Sequence, residues 1–213
     1  KIVIRDKRAV GVMVDDKEIS FDFIISNILV QDLFKIADEK QFPKDYVKEI
    51  KSLIGTGSLC AYYSLKKIDP VMVGKTFHFI ERDIGVDGND AVGMIDFMPA
   101  SEESGLSPHG DYLVQSYIIC TPDEAKEEKT LIKLRSLLDK NIKQLLPDYH
   151  KNLNWCIYPA IWHLDGVAKT IDRDKPKIQT PIDNLYLVGD CVKAPGIGFN
   201  CALNSAIELT KNI

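Results

Sequence analysis

An apolar run, Leu185–Val188, stops at Gly189-Asp190. The chain then passes through Pro195-Gly196-Ile197-Gly198-Phe199 into a stretch of small and apolar residues that reaches Leu209. A continuously apolar strand of this kind is buried on both faces of a parallel sheet, and ligands of open α/β sheets sit beyond the carboxyl ends of such strands. Asp190 stands at that end, where a carboxylate can accept hydrogen bonds from ligand hydroxyls. Gly189 lets a ligand approach the backbone closely. The Pro-Gly turn feeds a helix whose first N–H groups and positive dipole end favour electron-rich ligand atoms. A plainer reading, an ordinary strand–loop–helix with Asp190 as a cap, stays open on these grounds, because Gly196-Ile197-Gly198 is not a G-x-G-x-x-G.

Little else in the sequence gathers chemistry. Cys60, Cys120, Cys156, Cys191 and Cys201 are odd in number, widely spaced and without a C-x-x-C pair. That pattern is expected of reduced, buried thiols in a reducing compartment such as the cytoplasm. His78, His109, His150 and His163 are equally scattered, so no metal site is expected. No acid–base pair is recognisable, and the catalytic residues are unassigned. The net charge of −4, from 27 basic and 31 acidic residues, argues against nucleic acid as a partner. The densest charge cluster, Asp123–Lys129, is mixed in sign and reads as a solvated helix face.

The elements that must carry this loop follow from periodicity. The chain has 213 residues, 45% of them hydrophobic, enough for one large or two small domains. No apolar stretch is long enough to span a bilayer. Residues 1–27 alternate in three strand-like pieces, broken at Asp6-Lys7-Arg8 and Asp15-Asp16-Lys17, and predict an antiparallel meander. Two helices are expected next, one ending before Pro43 and one with Pro43 in its first turn that stops near Gly55. Residues 58–66, 76–82, 92–99 and 111–120 read as strands, rich in aromatic and branched residues. The clearest helix opens at Thr121, with Pro122 at its first position and Glu124 at its third. Leu131, Leu134, Leu138, Ile142 and Leu145 form its stripe, and Pro147 ends it. A short strand entering a loop is expected at 154–162.

The segment "TPIDNLYLVGDCVKAPGIGFNCALNSAIEL" is more specific than its parts. It resembles the C-terminal flavin motif of the phytoene desaturase-like FAD oxidoreductases, relatives of the flavin amine oxidases and protoporphyrinogen oxidases. "IVIRDKRAVGVMVDDKEISFDFIISN" looks like that family's β-meander, and "MPASEESGLSPHGDYLVQSY" like a stretch of its substrate domain. The resemblance implies that Gly189 and Asp190 face the flavin ribityl chain and that Pro195, Gly196, Ile197, Gly198 and Phe199 lie against the isoalloxazine. It places Tyr158 and Trp162 as candidate substrate contacts, with core packing as their competing fate. His163 is expected at the surface or hydrogen-bonded. Cys156 lacks the motif that surrounds a covalently attached flavin and is expected to be an inert, buried thiol.

The departure from the family is large. No G-x-G-x-x-G with an acidic residue some way beyond it occurs, the chain opens inside a strand-like piece, and there is no initiator Met. The expectation is a portion of a longer protein, lacking the N-terminal half of the FAD domain. That missing half would be its first partner, and the chain alone is expected to hold no FAD and to be inactive. The expected fold class is α+β: a mixed or antiparallel sheet backed by helices, plus the meander and C-terminal strand–helix of a split FAD domain. The expected divisions are 1–27, meander; 28–175, substrate domain; and 176–213, FAD-binding segment, with residues 1–27 and 180–213 meeting in space. The resemblance implies hydride transfer to or from a hydrophobic, isoprenoid or carotenoid-like small molecule, with a peripheral membrane contact where that substrate is met. A non-catalytic binder of prenylated partners, like the Rab GDP-dissociation inhibitors, and a flavin amine oxidase are the alternatives. Tyr62, Tyr63, Phe77, Phe79, Met94, Phe97 and Met98 are expected to divide between a core face and any apolar substrate surface.

Overall fold

A computed structural model describes residues 1–82, 90–98, 105–106, 110–168, 174–211 and 213. The stretch likened to the substrate domain lies partly outside the described residues, as does His109. The architecture is α+β, and it divides into two compact units: Lys1–Gly55 with Asp165–Ile213, and Thr56–Leu164.

The first unit opens with an antiparallel sheet of β1 (Ile2–Arg5), β2 (Arg8–Val14) and β3 (Lys17–Ser20). Both of its hairpins turn on two residues with positive φ, Asp6 (48°) and Lys7 (60°), then Asp15 (46°) and Asp16 (60°). Tight hairpins need that geometry to match strand twist, and Asp tolerates it. The third strand-like piece of the sequence does not stay in the meander. It bends at Asp22, and β4 (Ile24–Ser26) pairs in parallel with β11 (Leu185–Leu187), Ile24 opposite Leu185 and Ser26 opposite Leu187. The N–H of Ala9 also donates to the carbonyl of Asp183 at 2.8 Å, so the two ends of the chain meet. The outer edge of β11 is taken by the 178–179 segment, through Leu187 N–H to the Ile178 carbonyl at 2.8 Å. Among the described residues the other edge of β4 has no strand beside it.

Residues 28–55 pack onto this parallel pair, so the compact unit runs past position 27, where a domain boundary is expected. Leu33 and Ile50 are fully buried with Ile182, Leu185 and Val192. The first expected helix is broken into a 3₁₀ turn, the short α1 (Leu33–Ile36) and a second 3₁₀ turn. Ala37 goes extended, and the Asp38 carboxylate accepts from the Lys40 N–H to start the next turn. Helix α2 (Lys44–Lys51) has Pro43 as its N-cap rather than inside its first turn. Phe42, buried, stacks on Tyr46 and meets Phe34 edge-on.

The second unit is a six-stranded sheet under one long helix. β5 (Thr56–Leu65) is central, antiparallel to β8 (Tyr112–Cys120) on one side and β9 (Leu153–Ile157) on the other. β8 continues to β7 (Ala91–Phe97) and β7 to β6 (Thr76–Glu81), each antiparallel. Beyond Tyr158-Pro159 the chain resumes as β10 (Ala160–Asp165) beside β5, so the expected single strand at 154–162 is two strands with a break at the proline. Helix α3 (Glu128–Leu145) buries Leu134, Leu137, Leu138 and Ile142 against the sheet. It starts seven residues after Thr121. The expected capping box does form, since Glu124 Oε2 accepts from the Thr121 N–H at 2.7 Å. It closes only a 3₁₀ turn, because Ala125 is fully buried at Gly57 and holds the chain down on the sheet before α3 can begin.

Candidate functional site

The candidate site is built where β11 ends. Val188 donates its N–H to the Ser26 carbonyl at 3.0 Å, the last bond of the parallel pair. Gly189 follows at φ +123°, a region closed to ordinary side chains, and a Cβ there would lie 2.8 Å from Asn27 Oδ1. Its N–H donates to Ser205 Oγ on α4 (Gly198–Thr210) at 2.8 Å. The sequence requirement for glycine is thus local: the turn, the close approach of Asn27 and the tie to α4 all fall on one residue.

Asp190 is half-buried, and its carboxylate is partly engaged. Oδ2 accepts the backbone N–H of Gly166 at 2.9 Å. Its carbonyl accepts the ammonium of Lys175, a residue more than nine-tenths buried, and faces the Cys201 thiol. Gly166 itself has no room for a side chain, since a Cβ would meet the Cys191 Cβ at 2.9 Å and Asp190 Oδ1 at 3.2 Å. Gly166, Lys175 and Ser205 were not legible as site residues in the sequence. A lone glycine, lysine or serine signals nothing by type, and only the crossing of the chain brings each to Asp190 or Gly189.

Beyond Asp190 the loop climbs to α4. Gly196 takes φ +90° and Gly198 φ +51°. The Pro195 carbonyl accepts from Asn204 Nδ2 at 3.0 Å, which pins the turn to the helix it feeds. Helix α4 opens at Ile197 without a side-chain cap, so its first-turn N–H groups are not met by an N-cap side chain. Ile197 and Phe199 are 75% and 81% exposed, high for large apolar side chains, and flank that helix end. Cys201, Ser205 and Leu209 form the buried face of α4. A cleft of about 560 Å³ runs along the turn, lined by Pro195, Gly196 and Ile197 together with Lys175, Lys177 and Lys193. Burial raises the Cys191 thiol above its ordinary value, so it stays protonated at neutral pH.

Tyr158 and Trp162 belong to the second unit. The half-buried Tyr158 hydroxyl donates to Asp139 Oδ1 of α3 at 2.5 Å, and the Arg135 guanidinium stacks over its ring at 4.2 Å. Tyr63 also reaches Asp139, at 3.4 Å. Burial, first of all, lifts the Tyr158 hydroxyl well above the usual phenol range. Trp162 is half-exposed, with the Lys126 ammonium 5.8 Å over its ring. His163 is exposed, and Cys156 packs half-buried against the core, its thiol raised by burial. Among the described residues no three His, Cys, Asp or Glu side chains gather as a metal site, and no helix is long and apolar enough to cross a membrane.

No protein-family model matches the sequence, and no curated protein is detectably similar to it. Among solved structures the chain is similar to the crystal structure of an oxidoreductase from Methanosarcina mazei, with a TM-score of 0.72 over 99% of this chain and 19% identity. The likeness is one of fold, and the chain spans about half of that protein, 48% of its length.

Proposed function

We infer that this chain supplies the flavin-facing half of an FAD-dependent oxidoreductase that moves a hydride to or from a hydrophobic, isoprenoid-like substrate. The observation that carries the reading is the strand end: Gly189 and Asp190 close a parallel strand pair, and a helix without a side-chain cap follows across a glycine turn. Oxidoreductase chemistry in a protein of the same fold supports it. The residues fit the cofactor. Asp190 has Oδ2 on Gly166 and keeps Oδ1 for a ribityl hydroxyl, while Gly196, Gly198 and the exposed Ile197 and Phe199 present backbone and apolar surface to a flat ring. FAD, when bound, supplies the hydride-accepting ring; these side chains position it and keep water from its face.

The pyrophosphate end of FAD needs a glycine-rich strand–helix turn that this sequence does not contain. The open edge of β4, with Ile25 exposed on it and Ile19, Phe21 and Phe23 exposed in the chain leading to it, favours a further parallel strand there, since an unpaired edge offers its N–H and C=O groups to another strand. A peripheral membrane contact goes with the same reading, as a route to an apolar substrate.

The test is flavin absorbance. The 213-residue chain should purify without stoichiometric flavin, and a longer protein containing it should purify yellow. Anaerobic reduction of that flavin by an isoprenoid, with none by small primary amines, is the expected result. Rapid reduction by amines alone would move the protein to the amine oxidases. A colourless longer protein that captures prenylated partners would make it a binder.

A further inference from the structure

Position 166 needs a glycine for room. A Cβ there would meet the Cys191 Cβ at 2.9 Å, Asp190 Oδ1 at 3.2 Å and a Leu29 methyl at 3.4 Å. A glycine backbone also rotates more freely than any other. Its N–H can hold Asp190 in one place only if something else stops that rotation.

Gln31 does so, within the same compact unit. It lies in the 3₁₀ turn Val30–Asp32, which the buried Val30 and Leu33 anchor. Its Nε2 donates to the Gly166 carbonyl at 2.7 Å and reaches the Leu53 carbonyl at 3.4 Å. Asp190 Oδ2 takes the N–H of the same glycine at 2.9 Å. These two bonds lie on either side of the Gly166 Cα, so together they hold both of its dihedrals. Two residues on, the Ala168 N–H donates to the Ile54 carbonyl at 2.8 Å and pins the next turn of chain. Gln31 Oε1 is buried and accepts nothing among the described residues. A buried acceptor without a donor costs stability and offsets what the Nε2 side gives. What the amide adds is then direction at Gly166 rather than net stability.

We propose that Gln31 is a positioning residue for Asp190. Through Gly166 it fixes Oδ2, and so sets the carboxylate in advance with Oδ1 left over for a ligand hydroxyl. An Asp190 free to rotate would have to be immobilised when the ligand binds, and that ordering weakens affinity. The inference deepens the flavin reading and rests on it for the identity of the ligand. The clamp itself exists without flavin.

Amide hydrogen exchange on the flavin-free chain tests the clamp. Labelling with 15N-glycine leaves 13 backbone amides. Aspartate carrying 13C at its carbonyl selects the two that follow an Asp, Gly88 and Gly166. Gly166 is the one whose resonance Asp190→Ala shifts. Gln31→Met keeps the length of the side chain and removes its donor. It should speed exchange at Gly166 about tenfold, the loss of one hydrogen bond. Gly189, tied to Ser205 Oγ, should keep its rate. Equal acceleration of both glycines would make Gln31 a merely structural residue, and an unchanged Gly166 would make it idle; either overturns the proposal. If Gln31→Met does not fold, Gln31→Asn, one methylene shorter, is read in the same way. In a flavin-loaded longer protein, Gln31→Met should weaken FAD roughly twofold to tenfold. It should weaken it no further where Asp190 is already Ala, and additive losses overturn the route through Asp190. A colourless longer protein would overturn the cofactor reading alone, and the two exchange rates would still decide the clamp.

Discussion

Gly166 gives its backbone N–H to Asp190 Oδ2 at 2.9 Å, joining the residue just past β10 to the residue that closes β11. Asp190 is therefore both a candidate ligand group and a clasp of its own fold. Asp190→Ala removes both roles, and should lower stability by about 1–3 kcal/mol through the orphaned N–H. Asp190→Asn keeps an oxygen for Gly166 and should hold stability near the parent value. In a flavin-loaded longer protein it should still weaken FAD roughly tenfold by losing the charge. Urea denaturation and flavin retention, measured on both variants, separate the roles. Equal flavin loss without any stability difference between them would show that the clasp is idle.

Gly189→Ala should destabilise the first unit by about 1–3 kcal/mol, because φ +123° excludes a side chain. The new methyl would also press on Asn27. A shifted urea midpoint with an unchanged slope is the expected signature, and a neutral result would mean that the turn can flip to negative φ.

In the second unit, Leu138 is fully buried on α3. Leu138→Ala should cost about 2–5 kcal/mol. The half-exposed Leu131 on the same helix should cost clearly less, by the same denaturation measurement.

Glu81 accepts from Lys140 and Asn141, and these bonds hold its carboxyl below its ordinary value of 4.5. The folded pKa is the lower one, so the stabilisation is complete above pH 4.5 and is lost as pH falls through the folded value. Urea midpoints taken from pH 6 down to pH 3 should fall more for the parent than for Glu81→Gln. Identical slopes would show that the contact adds nothing.

The sequence disclosed the strands of the second unit well, because apolar and aromatic residues alternate along β5, β7 and β8 and their bounds fall within a few residues of those patterns. It disclosed the Gly189–Phe199 turn, because glycine and proline at such spacing have few other uses. It misplaced the start of α3. Thr121-Pro122-Asp123-Glu124 is a sound helix opening by local rules, yet burial of Ala125 at Gly57 interrupts it. It also carried the third strand-like piece straight through Asp22, since nothing local tells that β4 pairs with a strand near the other end of the chain. Lys175 and Gly166 were hidden for a related reason: their roles exist only after the chain has folded back on itself, since Asp190 lies 15 residues beyond Lys175 and 24 beyond Gly166.

That parallel pairing also sets an order of events. β4 cannot find its register until β11 has been made, about 160 residues later, which at ribosomal rates is roughly 8–30 s. The second unit, encoded wholly between them, is complete long before. A nascent chain therefore carries a finished antiparallel sheet while Ile24–Ser26 waits without its β11 partner, and truncation anywhere before Leu185 leaves that edge of β4 permanently open. Chaperone demand and aggregation during expression should follow from this delay in the first unit, whatever the equilibrium stability of the finished chain.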